Sequence, residues 1–91
     1  MNPQINLASL HFTHHALARM AERKVTKDEV INVLSNPREV ITANEARFEA
    51  RGLIHRDDRT MLLRVIYAHG EVVSVITVVA TSKLAKYGVA P

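Results

Sequence analysis

His15, Arg19 and Arg23 stand four residues apart. On a helix each step of four turns the side chain by about 40°, so the three form one polar stripe. An imidazole beside two guanidiniums suits a phosphate. The imidazole gives or takes a proton near neutral pH, and a guanidinium stabilises the charge that builds on a phosphorane. The same spacing also fits a solvated helix face on which Glu22 pairs with Arg19 or Arg23. A second group is Thr81-Ser82-Lys83-Leu84-Ala85-Lys86-Tyr87. A threonine, two lysines and a phenol there would line a cleft opposite the first helix, although chain ends also fray. Tyr87 argues against fraying, because the chain has only two Tyr and two Phe. His11, His14 and His15 invite a metal reading. His14 and His15 point apart on a helix, and no carboxylate stands four residues on, so no metal and no cofactor is expected. Asp57-Asp58 reads as a charged turn. The three glycines are scattered, which excludes a glycine-rich phosphate loop.

These residues need elements to hold them. Thr13 reads as the cap of a helix over His14–Arg23, with Ala16, Leu17, Met20 and Ala21 on its apolar face. Thr26 and Glu29 form a capping-box pair for a second helix, which turns Val30, Ile31, Val33 and Leu34 inward. Asn36-Pro37 stops it, since the residue before proline avoids the helical region. The signal then changes to strand. Glu39–Thr42 is a short run, and Asn44-Glu45 turns the chain. In Arg47–Ile54 the residues Arg47, Glu49 and Arg51 alternate with Phe48 and Ala50. His55–Arg59 reads as a loop, Met61–Tyr67 as a strand and Ala68–Glu71 as a hairpin turn. Val72–Thr81 is apolar at nearly every position and reads as a central strand. Residues 1–10 read as an extended lead-in, with a short strand near Leu10–Phe12 left open, and residues 82–91 as a tail. The pattern predicts one α+β domain over residues 1–91, with two N-terminal helices packed on a four-stranded antiparallel sheet.

Composition narrows the classes. The chain has 91 residues, 47% hydrophobic and 23% charged, the range of an ordinary globular domain. Without cysteine there is no disulfide framework, zinc ribbon or thiol nucleophile. No apolar run is long enough to span a membrane, and Met1–Leu10 does not read as a signal peptide. A cytoplasmic location is the expectation. The net charge of +3 is small, but eight Arg against four Lys leans toward phosphate contacts.

Phe12-Thr13-His14-His15-Ala16-Leu17-Ala18-Arg19-Met20-Ala21-Glu22-Arg23, Asn36-Pro37, Val75-Ile76-Thr77-Val78 and the tail Thr81–Tyr87 together resemble a family of small bacterial domains of unknown function. The match covers roughly residues 11–87. Lys24 stands where that family usually has Gly, and Val79 where it has an aromatic residue. The family is similar to the RelE- and BrnT-like toxins, within the group of barnase, EndoU, colicin and RelE-type ribonuclease folds. The resemblance implies a RelE/barnase-like fold and a metal-independent endoribonuclease, the toxin of a toxin–antitoxin pair. His15, Arg19, Arg23, Thr77, Lys83, Lys86 and Tyr87 match the family's residues, and the chemistry of RNA cleavage assigns the roles and adds Arg64, Arg47 and Arg51. His15 would be base or acid, with Tyr87 or Lys83 as its complement. Arg19 and Arg64 would hold the phosphorane. Arg23, Arg47, Arg51 and Lys86 would grip the flanking RNA, and Thr77 matches the family's strand threonine.

Two other readings compete. The basic stripe also suits a module that binds nucleic acid or a protein without cutting anything. An exposed edge of the Val72–Thr81 hairpin would suit a homodimer.

Overall fold

The computed structural model describes residues 10–44 and 46–89. The lead-in over residues 1–9, Glu45 in its expected turn, and the last two residues of the tail lie outside the described residues.

Thr13 begins the first helix, α1 (His14–Arg23), as its residue type predicts. Its backbone is extended, and its Oγ1 accepts the N–H of Ala16 at 3.0 Å. The same hydroxyl donates to the Ile76 carbonyl at 3.0 Å, and the Thr13 N–H donates to the Val75 carbonyl at 3.1 Å. One residue therefore caps the helix and fastens it to a strand far along the chain. Ala16 and Met20 are buried, whereas Leu17 is exposed. Leu17 sits about 100° round the helix from Ala16 and so falls outside the core stripe. Lys24 closes the helix in the left-handed region, at φ 57° and ψ 39°. The Val25 N–H then reaches back to the Met20 carbonyl at 2.8 Å, which satisfies a terminal acceptor.

The second helix, α2 (Lys27–Ser35), opens on the expected capping box. The Thr26 N–H donates to Glu29 Oε1 at 2.9 Å, and the Glu29 N–H donates to Thr26 Oγ1 at 3.1 Å. Val30, Val33 and Leu34 face the core, while Ile31 is half-buried.

The strands are β1 (His11–Phe12), β2 (Glu39–Asn44), β3 (Arg47–Arg56), β4 (Arg59–His69) and β5 (Val73–Thr81). They form one sheet in the order β1-β5-β4-β3-β2. The expected α+β class stands, but the expected four-stranded antiparallel sheet is corrected: the sheet has five strands and is mixed. β1 pairs in parallel with β5, His11 beside Ser74 and Phe12 beside Val75. A two-residue strand has no periodicity to read, and its partner lies more than sixty residues away. The expected loop His55–Arg59 also shrinks. β3 and β4 pair as far as Arg56 opposite Arg59, leaving only Asp57-Asp58 to turn. Asp57 adopts a positive φ of 51°, which the short polar Asp side chain tolerates. The central strand is β4, and β5 lies next to the edge strand β1.

Both helices cover one face of the sheet. Ala16, Met20, Val30 and Val33 pack with Ala50, Ile54, Leu63, Val65, Tyr67, Val75 and Val78 in one core. At Gly52 the helix layer comes close: a Cβ there would stand 2.9 Å from Cγ2 of Val33. On the other face the segment after β5 folds back as far as Val89. A 3-10 helix, Leu84–Tyr87, lays Leu84 and Val89 on Leu62. The tail is thus docked and not frayed.

Two stability outcomes follow, both measurable by urea unfolding. Lys24→Gly relieves the left-handed strain and raises stability by about 1 kcal/mol. Gly52→Ala lowers it by about 1–2 kcal/mol through overpacking, and Val33→Ala in the same chain removes most of the added cost.

Candidate functional site

Side chains alternate across a strand, so β3 and β4 each send every second residue away from the helices. The register lines these up. Glu39 pairs with Arg51, Arg51 with Arg64, and Arg64 with Val79, in one row across four strands. The next row is Ile41, Glu49, Ile66 and Thr77. The row on the other side holds Leu53, Leu62 and Thr81, where the tail docks.

Glu49 organises the polar part of this face. Its carboxylate is almost fully buried. Arg64 grips both of its oxygens, Nε to Oε2 and Nη2 to Oε1, each at 2.9 Å. Arg51 Nε reaches Glu49 Oε2, and its Nη1 reaches Glu39 Oε1 at 3.0 Å. The hydrogen bond from Arg64 is the main reason that the Glu49 carboxyl titrates below the usual carboxylate range, with Arg51 adding to it and burial opposing. The same pair raises the pKa of Arg64. Glu49 therefore stays ionised and serves as an anchor.

Tyr87 completes the cluster. Its hydroxyl accepts a hydrogen bond from Arg64 Nη1 at 3.1 Å. Its ring lies 5.0 Å from the Arg64 guanidinium, 5.1 Å from that of Arg51 and 5.8 Å from Lys86 Nζ. A cleft of about 120 Å³ beside the ring is lined by Arg38, Glu39, Arg51, Leu62, Tyr87, Gly88 and Val89. Four cations, Arg38, Arg51, Arg64 and Lys86, thus face two carboxylates, Glu39 and Glu49. A guanidinium carries five N–H donors. The bonds to Glu49, Glu39 and Tyr87 leave donors on both Arg51 and Arg64 for an anion.

The sequence-predicted residues divide between two places. Arg64, Arg51, Tyr87 and Lys86 meet on the open sheet face, with Thr77 one row away. Arg47 shares that face at the far end of β3 and is exposed. Lys83 is exposed ahead of the 3-10 helix, where its backbone N–H bonds Thr81 Oγ1 at 3.1 Å. His15, Arg19 and Arg23 are exposed on α1, which packs on the opposite face of the sheet. Arg19 pairs there with Glu22 at 2.9 Å. The structure does not bring the α1 stripe to Tyr87. Sequence reasoning missed Glu49, Glu39 and Arg38 as site residues. The signal for Glu49 was present: a carboxylate between arginines two residues before and two after, on a strand that alternates.

Among the described residues no group of three His or carboxylate side chains could hold a metal ion. No helix among them is long and apolar enough to cross a membrane.

An α+β domain with two helices on one side of a mixed five-stranded sheet, and an arginine–tyrosine cluster on the other, is the class that fold and site define. The chain belongs to the DUF4258 family, a domain of unknown function, whose model matches residues 12–86. That span starts at Phe12 and ends one residue before Tyr87. No curated protein and no solved structure matches the chain.

Glu49→Gln removes the anchor charge. It lowers stability at pH 7 by about 2 kcal/mol, since both guanidiniums keep part of their surface in water. The sign with pH follows from the depressed carboxyl. Its stabilisation is complete above the ordinary value of 4.5 and disappears as pH falls through the lower folded value. Urea titrations between pH 7 and pH 3 therefore show a steeper acid loss in the wild type than in Glu49→Gln. Glu29, which Arg56 also holds below the usual range, keeps some acid loss in the variant.

Proposed function

We propose that the protein is a metal-independent endoribonuclease of the RelE-like kind, the toxin of a toxin–antitoxin pair, acting on RNA in the cytoplasm. The observation that carries this reading is the Tyr87 hydroxyl bonded to Arg64 and flanked by Arg51 and Lys86. The tail is one of the motifs on which the toxin resemblance rests, and its Tyr87 bonds Arg64, a strand arginine expected to hold the phosphorane.

The chemistry needs three things. A phosphodiester must be held, its added negative charge offset, and two protons moved. Arg64 and Arg51 are donors fixed in place by Glu49, so little reorganisation is required when charge develops. The ribose 2′-oxygen attacks the adjacent phosphorus while its proton passes to a base. The bond from phosphorus to the 5′-oxygen then breaks, and that oxygen takes up a proton. A 2′,3′-cyclic phosphate and a 5′-hydroxyl result. Tyr87 would give the proton to the departing oxygen; what supports this is its hydroxyl's contact with the guanidinium that would hold the phosphate. The resemblance supplies His15 as the base, and RNA reaching it would have to pass round the β1 edge. Arg47, Lys86 and Arg38 would grip the flanking backbone, and a protein antitoxin would block the open face.

A second reading has its own support. Glu49 is committed to its arginines, and His15 lies on the other layer. The face would then bind nucleic acid without cutting it.

Incubation of total RNA in EDTA, with and without ribosomes, separates the two. Wild type is expected to produce 2′,3′-cyclic phosphate ends. Tyr87→Phe slows cleavage by about 100-fold, and Arg64→Lys slows it comparably by losing the planar fork. RNA affinity stays within a few-fold for Tyr87→Phe. His15→Ala reports whether the α1 stripe takes part. RNA binding without cleavage in every sample selects the binding module, and neither binding nor cleavage defeats both readings.

A further inference from the structure

A strand at the edge of a sheet presents unpaired N–H and C=O groups, and proteins that stay monomeric blunt such edges with charge, proline or bulges. The two edges of this sheet differ. On the β2 side, Pro37, Arg38 and Glu39 precede or open the strand, and its register shifts between Thr42 and Asn44. On the other side, β1 covers β5 only at Ser74 and Val75, with Thr13 reaching the carbonyls of Val75 and Ile76. Among the described residues nothing pairs with the outer edge of Thr77-Val78-Val79-Ala80-Thr81. That stretch has no charge, no proline and no glycine.

The open stretch is nearly a palindrome. Turned end for end about Val79, it sets Thr77 against Thr81, Val78 against Ala80 and Val79 against itself. Thr–Thr and small-against-branched pairs are favourable across antiparallel strands, and no like charges meet. The window is also bounded symmetrically: Thr13 ends it on one side, and the strand's last residue ends it on the other. The two exposed large hydrophobic side chains among the described residues, Leu17 and Val72, both sit by this strand. Leu17 is on α1, which packs against β5, and Val72 directly precedes it.

We infer that β5 is the dimerisation strand, pairing antiparallel with β5 of a second copy about a two-fold axis through Val79. The pairing is isologous and closes at two copies. It stands independently of the ribonuclease reading. The two sheets join into one, and the axis, perpendicular to the sheet, keeps the same face of both copies on the same side. Arg64 is paired with Val79, so the Arg64 of each copy lies directly across the axis from the other. Three strand spacings separate them, about 14 Å. The dimer would therefore present two arginine–tyrosine clusters side by side to one extended polyanion. On the other face the two copies of α1 become neighbours.

The test uses sedimentation velocity and single-cysteine cross-linking on the full chain. Wild type is expected to move from monomer to dimer between about 1 and 100 μM. Val79→Lys, which sets two ammonium groups against each other at the axis, weakens the dimer at least tenfold. The native chain has no cysteine, so an introduced one can couple only to another introduced one. Residues directly opposite stand about 4.5–5.5 Å apart at Cα, within disulfide reach. Under mild oxidation Val79→Cys should form a disulfide dimer rapidly. Thr77→Cys alone should not, whereas a mixture of Thr77→Cys and Thr81→Cys should. Far-UV circular dichroism confirms that each variant is folded, and Ala85→Cys, exposed on the 3-10 helix, sets the background rate. A chain that stays monomeric at the highest concentration overturns the inference. So does a dimer in which Val79→Cys couples no faster than Ala85→Cys.

Discussion

The open face depends on one buried carboxylate. Removing an ion from water is costly, so a nearly inaccessible glutamate must be met by opposite charge and by hydrogen bonds. Glu49 meets that demand with two arginines from adjacent strands. The consequence runs outward. Arg64, held by two bonds, can direct a third donor at Tyr87. Tyr87, flanked by cations, fixes the end of the 3-10 helix, and Leu84 and Val89 then cover Leu62 and Leu53. A charge in the sheet thus joins the apolar contacts of Leu84 and Val89 in holding the segment that follows β5.

The helix face rests on a different device. Thr13 uses one hydroxyl twice, as acceptor for the helix and as donor to the sheet. Glu29 behaves similarly at the start of α2: it completes a capping box and also grips Arg56 at the end of β3. Each helix is therefore tied to the sheet at its first turn, where unpaired N–H groups would otherwise need partners.

Local signals in the sequence located what was local. The caps Thr13 and Thr26, the stop at Asn36-Pro37 and the alternation around Glu49 can each be read within a few residues, and each corresponds to an observed feature. The parallel pairing of β1 could not be read this way, because two residues carry no period and the partner is remote. The length of the β3–β4 hairpin was hidden by Asp57, whose left-handed backbone closes a turn that its charge makes look like a loop. The docking of the tail was legible only as an unexplained tyrosine. The site was read in halves. Arginines and the tyrosine were named, but the glutamate that unites them read as ordinary alternation. The helix stripe and the tail looked like one site because nothing in the spacing says which face of the sheet each will occupy.

The cluster draws one residue from each of three distant segments, Glu49, Arg64 and Tyr87, and the last lies beyond every strand. During synthesis the helices and the sheet can therefore settle first, each with its own caps and core. The phenol is added only after the last described strand, β5. A chain interrupted between Thr81 and Tyr87 has both helices and all five strands but an unfinished face. Order of emergence thus acts as a delay: the arginines have their tyrosine only once every described strand has been made.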